Sequence, residues 1–358
     1  MIQDWQANAS ATLVGSLPHR ERRAAVDTVL RNIGDIPAWP QLSVYPAEQM
    51  MIQYLEGLPG LRNENGRITI EADTPEFDNE LYAFYEEYLE IEAQTKDIDH
   101  SRFRMGPETA ETFLLFLEAL KSGGRPLRAV KGQVVGPFTL LAGLKDRNDR
   151  SVLYDERFQD IVPKHLAMKA LWQIRRLSAL GCPVIVFLDE PALAGFGSSA
   201  FISVSRELIQ QLLEETIAVI HQADALAGIH VCANTDWLLA FHSSVDIINF
   251  DAYNYFDKFN LYRDDFHRFM EEGRIVAWGM VPTGEASLIE AETAAGLEDR
   301  WLRQVQDLVS PEVPLQKILS QSLFTPSCGC GSLSEAAALK VVELTRDLGT
   351  LMQNRLRG

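Results

Sequence analysis

The chain has 358 residues, 46% of them hydrophobic, with 33 Lys and Arg against 50 Asp and Glu for a net charge of −17. This is enough apolar sequence for a full core, yet the apolar runs are strand-sized and none has the length of a transmembrane helix. So negative a charge argues against nucleic acid or an anionic membrane surface as a partner.

The first ten residues, MIQDWQANAS, hold no basic segment followed by an apolar one, so no secretory signal is expected. The first predicted strand is Ala11–Gly15, followed by a helix near Glu21–Ile33. A second strand, Ala38–Val44, leads into an amphipathic stretch, Ala47–Glu56. An irregular insertion, residues 57–125, comes next. Within it Gly66–Glu71 alternates like an edge strand or hairpin arm, and Phe77–Thr95 and Pro107–Ser122 read as helices. The acidic residues crowd into Glu71–Glu92, a solvated face.

Strand three is Leu127–Val135, closed by Gly136-Pro137, and a long helix covers Val152–Leu180. Strand four is Pro183–Leu188, closed by Asp189-Glu190-Pro191, and Phe201–Leu226 is helical. Strand five is Gly228–Cys232 and strand six is Ile247–Phe250, ending on Asp251. Strand seven is Ile275–Met280, with a helix at Ala286–Val309. Strand eight is Ser322–Thr325, followed by a helix from Ser334 to about Asn354.

Strands alternating with helices are the pattern of βα units and a parallel sheet. Eight such units predict an α/β fold, a TIM (β/α)8 barrel in one domain, residues 1–358, with an insertion after strand two. An open doubly wound sheet and a split near Gly123-Gly124 are the alternatives. In a TIM barrel the chemistry sits at the C-terminal ends of the strands. The polar clusters GSLPHR, WPQL, GPFT, DEPA, HVCANTD, FDAYNY, GMVPTGE and PSCGCG all lie there.

Residues two apart on a strand face the same side, so His230 and Cys232 project together. Cys328 and Cys330 end the last strand. Thiolate plus imidazole is a donor set that zinc prefers. The plainer alternative is a pair of core residues and two unrelated thiols. Four unevenly spaced cysteines do not look like a disulfide framework, and a reducing cytoplasm is expected. Trp39 and Trp278 fit barrel core better than a cofactor platform, and His242 fits a structural helix position.

These motifs, in this order, resemble the catalytic C-terminal barrel of the cobalamin-independent methionine synthase family, of the uroporphyrinogen decarboxylase-like superfamily. Val14-Gly15-Ser16-Leu17-Pro18 resembles the family's G-S-F-P turn, which implies that Gly15 and Ser16 hold an amino acid's carboxylate. Asp189-Glu190-Pro191-Ala192 matches its D-E-P-A motif, whose Asp takes the substrate ammonium. His230-x-Cys232 matches its H-x-C zinc pair, and Pro326-Ser327-Cys328-Gly329 resembles the P-D-C-G that supplies another thiolate. Asp251 stands where the family has its remaining ligand, a Glu, with Cys330 as the competing fourth ligand. Glu48 is the candidate for the second carboxylate on the amino group.

The resemblance implies a zinc-dependent S-methyltransferase that makes methionine from a homocysteine-like thiol. Two departures bear on the donor. No Trp follows Gly136-Pro137-Phe138-Thr139, and Gly279–Glu285 holds no His. No counterpart of the family's N-terminal barrel is expected either. A folate amine must be protonated to leave, whereas reduced cobalt leaves without an acid. The expected donor is therefore methylcobalamin, a methylcorrinoid free or on a carrier protein, rather than methyltetrahydrofolate. His19 is the one candidate acid near the donor. The rival functions are a uroporphyrinogen decarboxylase-like enzyme and a non-catalytic zinc, amino-acid or corrinoid binder.

Overall fold

The apolar runs at 130–135 and 184–189 stop at Gly136-Pro137 and Glu190-Pro191, where the missing proline N–H ends strand pairing. The computed structural model describes residues 5–64 and 66–358. Its strands are β1 Ser10–Ala11, β2 Ser16–Leu17, β3 Gln41–Leu42, β4 Leu61–Glu64, β5 Arg67–Ile70, β6 Val130–Val135, β7 Val184–Asp189, β8 Leu226–Val231, β9 Ile247–Phe250, β10 Ile275–Val281 and β11 Ser322–Pro326.

Seven of them form one parallel sheet in the order β1-β11-β10-β9-β8-β7-β6. Neighbours follow chain order without reversal, so there is no switch point of the doubly wound kind. The sheet is curled, as in a TIM-like barrel. Three strand spacings of about 4.8 Å would part β8 from β11 by roughly 14 Å on a flat sheet. Yet Cys232, just past β8, and Cys328, just past β11, bring their ligand atoms within 4.8 Å of each other. Curl and side-chain reach together close that gap. Between the sheet's two ends lies the segment 38–42. Ala38 bridges Lys131 of β6, and β3 pairs in parallel with β2.

Two apolar layers hold this frame. The larger lies between the sheet and the helices around it. The smaller lines the inside of the sheet with Ala129, Ile185, Leu226, Ile247, Ile275 and Leu323 from successive strands. Side chains alternate along a strand. The next inward positions therefore carry Lys131, Phe187, Asn249 and Thr325, and the rim above carries Gln133, Asp189, His230 and Ser327.

Several elements differ from expectation. The first strand is broken into β1 and β2, because Gly15 takes a φ of +148° and Lys131 Nζ holds the Val14 carbonyl at 2.7 Å. The amphipathic stretch Ala47–Glu56 forms two 3-10 turns, Pro46–Glu48 and Ile52–Tyr54. Gly66–Glu71 does supply a hairpin arm, β5, paired antiparallel with β4. Ala286–Val309 is two helices, Ala286–Ala291 and Ala294–Val305, because Thr293 caps the second through Gly296 N. Helices Pro137–Gly143, Ala252–Phe259 and Arg263–Glu271 were not anticipated. No helix among the described residues is long and apolar enough to cross a membrane.

Candidate metal and substrate site

Strand ends build the site. β8 delivers His230, and the bend after it delivers Cys232. The turn after β11 delivers Cys328. Among the described residues, these three form the group whose imidazole nitrogen and sulfur atoms all lie within 4.8 Å of one another. His230 Nε2 is buried and has no hydrogen-bond partner. Leaving such a nitrogen unpaired costs about 1–3 kcal/mol, so its placement beside two thiols calls for a ligand. The neighbouring Cys328 thiol and then the His230 imidazole hold the Cys232 thiol well below the usual range. Cys328 is pushed up by Cys232 and by burial. One thiolate is thus favoured even before a metal arrives. Nitrogen and soft sulfur donors at this spacing fit zinc.

Asp251 lies outside that group. Its Oδ1 accepts from Asn254 N at 2.9 Å and its Oδ2 from Asn254 Nδ2 at 2.8 Å, which caps helix Ala252–Phe259. Cys330 is also outside it. The residue is 2% exposed within the apolar core, and burial pushes its thiol up to about 12. A thiol that stays protonated is a poor ligand.

Asp189 ends β7 and is the register partner of His230. Its Oδ1 is buried with no partner, and burial pushes the carboxyl up to about 6 despite the pull of His230 and Lys131. An orphaned buried acceptor beside the metal group is suited to an ammonium donor. Lys131 does not fill that role. Its Nζ goes to Val14 O at 2.7 Å and, more weakly, to Gln133 Oε1 at 3.5 Å, and sits 4.3 Å from the centre of the Phe187 ring. Burial lowers it to about 8, and Asp189 partly offsets this.

Ser16 meets the cysteine turn directly, while Gly15 faces the Gln133 side chain. Ser16 O accepts from Cys330 N at 2.9 Å, and Ser16 Oγ accepts from Gly331 N at 3.3 Å. A side chain at Gly329 would run into Ser16 Oγ. The two motifs, more than 300 residues apart, form one wall of the site.

Glu48 and His19 each have contacts of their own. The buried Glu48 carboxylate accepts from Arg22 Nε at 3.1 Å, Thr112 Oγ1 at 2.7 Å and Leu42 N at 3.2 Å. Burial raises its pKa nonetheless. Those bonds tie the second strand to the helices beside it. His19 Nε2 contacts Thr28 Oγ1 at 3.3 Å, its Nδ1 is buried without a partner, and burial lowers its pKa.

The sequence reading missed Lys131, Glu190 and Asn249. Glu190 accepts from Phe138 N at 2.9 Å, Thr139 N at 2.8 Å and Thr139 Oγ1 at 2.5 Å. It fastens the GPFT turn to β7, while burial pushes it up to about 7. One signal for the other two was present: Lys131 in VKGQVV and Asn249 in IINF are polar residues at alternate positions of apolar strands.

No model of a known protein family matches the chain, and no curated protein matches it. Solved structures do resemble it. One is a B12-independent methionine synthase from Shewanella sp. W3-18-1 in complex with selenomethionine, with a TM-score of 0.55 and 16% identity over 98% of this chain and 99% of that one. Another is a methyltransferase from Methanosarcina mazei, with a TM-score of 0.55 and 10% identity over 98% of this chain and 94% of that one. At these identities the likeness is one of fold.

Proposed function

We propose that this chain is a zinc-dependent S-methyltransferase acting on a homocysteine-like thiol to give methionine. The observation that carries the reading is the convergence of the His230 imidazole, Cys232 and Cys328 beside Asp189, whose Oδ1 is buried without a partner. Bound there, zinc would lower the acceptor thiol's pKa and supply a thiolate at neutral pH, where a free thiol near 8.5 is only a few per cent ionised.

The chain's own residues do the rest. His230, Cys232 and Cys328 would hold the metal, and three protein ligands would leave room for the acceptor sulfur. Asp189 takes the ammonium and so orients the acceptor. Gly15 and Ser16 flank its carboxylate. The Cys328 turn, packed on Ser16, keeps the carboxylate and sulfur ends at a fixed separation, which favours attack through orientation. The structural neighbour in complex with selenomethionine supports an amino-acid ligand in this fold.

For the donor, the missing His in Gly279–Glu285 favours methylcobalamin, while the neighbour described as B12-independent points the other way. The same neighbour lends a corrinoid carrier no support. We propose the acceptor half alone, and both donors are arms of the assay. We read residues 1–358 as one barrel domain with 57–125 inserted after the second strand. All four cysteines are free thiols, which suits a reducing compartment such as the cytoplasm.

The test supplies zinc-loaded protein with homocysteine and either methylcobalamin or methyltetrahydrofolate. Methionine should form with one donor and disappear with Cys328→Ser. No methionine from either donor, with homocysteine bound, would reduce the chain to a binding protein.

A further inference from the structure

We propose that Asn249 is the positioning residue for His230, selecting the imidazole tautomer and aiming Nε2 at the two thiols. The inference rests on the zinc reading above. Asn249 is fully buried on β9, the register partner of His230 on β8. Its carboxamide has one possible orientation. One end lies 2.8 Å from the Ala277 carbonyl and 2.8 Å from Thr325 Oγ1, and the other lies 2.6 Å from His230 Nδ1. A carbonyl oxygen can only accept, so the end facing Ala277 is the NH2. The end facing His230 is then Oδ1, which can also only accept. His230 Nδ1 must carry the proton. In a neutral imidazole the lone pair is then on Nε2, the buried nitrogen that lacks a partner. The opposite tautomer would set two lone pairs against each other at Nδ1 and Oδ1.

The support runs across four strands. Ala277 on β10 and Thr325 on β11 hold the amide, Asn249 on β9 holds the imidazole, and the imidazole faces the cysteines. Each bond fixes the next group's rotation, and a partner of this kind sets ligand geometry and basicity. The competing account is a buried polar staple between strands. It predicts a less stable protein with unchanged His230 chemistry.

The experiment is 15N NMR of histidine-labelled protein, as purified and after chelation, with zinc affinity measured by chelator competition. Wild-type His230 should be protonated at Nδ1. Asn249→Leu should populate the other tautomer in the chelated protein and weaken zinc binding roughly 10- to 100-fold. Asn249→Asp keeps the acceptor. It should keep the Nδ1–H form and lose far less zinc affinity, although its carboxylate opposes the Ala277 carbonyl and lowers thermal stability. A wild-type His230 without a proton on Nδ1 overturns the proposal. So does an unchanged zinc affinity in folded Asn249→Leu, or an equal loss in Asn249→Asp. Where Asn249→Leu does not fold, the wild-type spectrum and Asn249→Asp decide. A wild-type protein that binds no zinc fails the metal reading, while the tautomer still judges Asn249.

Discussion

Replacing Asp189 with Asn removes one charge and leaves the shape of the site intact. Asp189 Oδ1 is buried and unpartnered, so an ammonium arriving there meets no competing donor. A hydrogen bond between charged groups contributes about 1.5–3 kcal/mol, which converts to a roughly 10- to 100-fold loss of homocysteine affinity. The control is 3-mercaptopropionate, which keeps the thiol and carboxylate but lacks the ammonium. Calorimetric titration of zinc-loaded wild type and Asp189→Asn with each thiol gives the ratio. Wild type should favour homocysteine and the variant should not. The preference should also depend on pH. Burial raises this carboxyl, while a bound zinc and the ammonium itself favour its ionised form. The homocysteine preference should therefore be full at neutral pH and fade only as falling pH protonates the carboxyl. The zinc ligands titrate for both thiols and cancel in the ratio. Equal losses for both thiols would show that Asp189 is a scaffold residue and refute the reasoning.

Other expectations follow from the buried groups. Lys131 titrates near 8 in the fold and near 10.5 when unfolded, so between those values the unfolded state binds more protons and wild-type stability rises with pH. Lys131→Met should lack that rise, of about 3 kcal/mol at most, in denaturant midpoints compared at pH 7.5 and 10.5. Glu190→Ala leaves Phe138 N and Thr139 N buried without acceptors and should cost at least about 2 kcal/mol, seen as a melting temperature lower by about 3 °C or more. Cys330→Ala should leave zinc content unchanged, since that thiol packs in the core outside the metal group; loss of zinc would return Cys330 to the ligand set.

Much of the frame was legible because strand-length runs and their polar ends carry local signals. His230 and Cys232 sit two apart, and Asp189 and Cys328 sit at strand ends. What was not legible depends on contacts distant in sequence. Asp251 looked like a ligand by position, but a strand end is also a helix start, and its carboxylate caps the next helix. Glu48 looked available until Arg22, Thr112 and Leu42 were seen to occupy it. The break in the first strand depends on Lys131, more than 100 residues away. Helix Ala286–Ala291 reads continuously into the next because its end rests on one threonine cap.

The central claim is that His230, Cys232 and Cys328 hold a zinc that takes the acceptor's sulfur. Zinc K-edge X-ray absorption tests it most directly, on protein with and without homocysteine. The account predicts two sulfur ligands and one imidazole from the chain, and a third sulfur when homocysteine is added. A zinc shell that homocysteine leaves unchanged would contradict it.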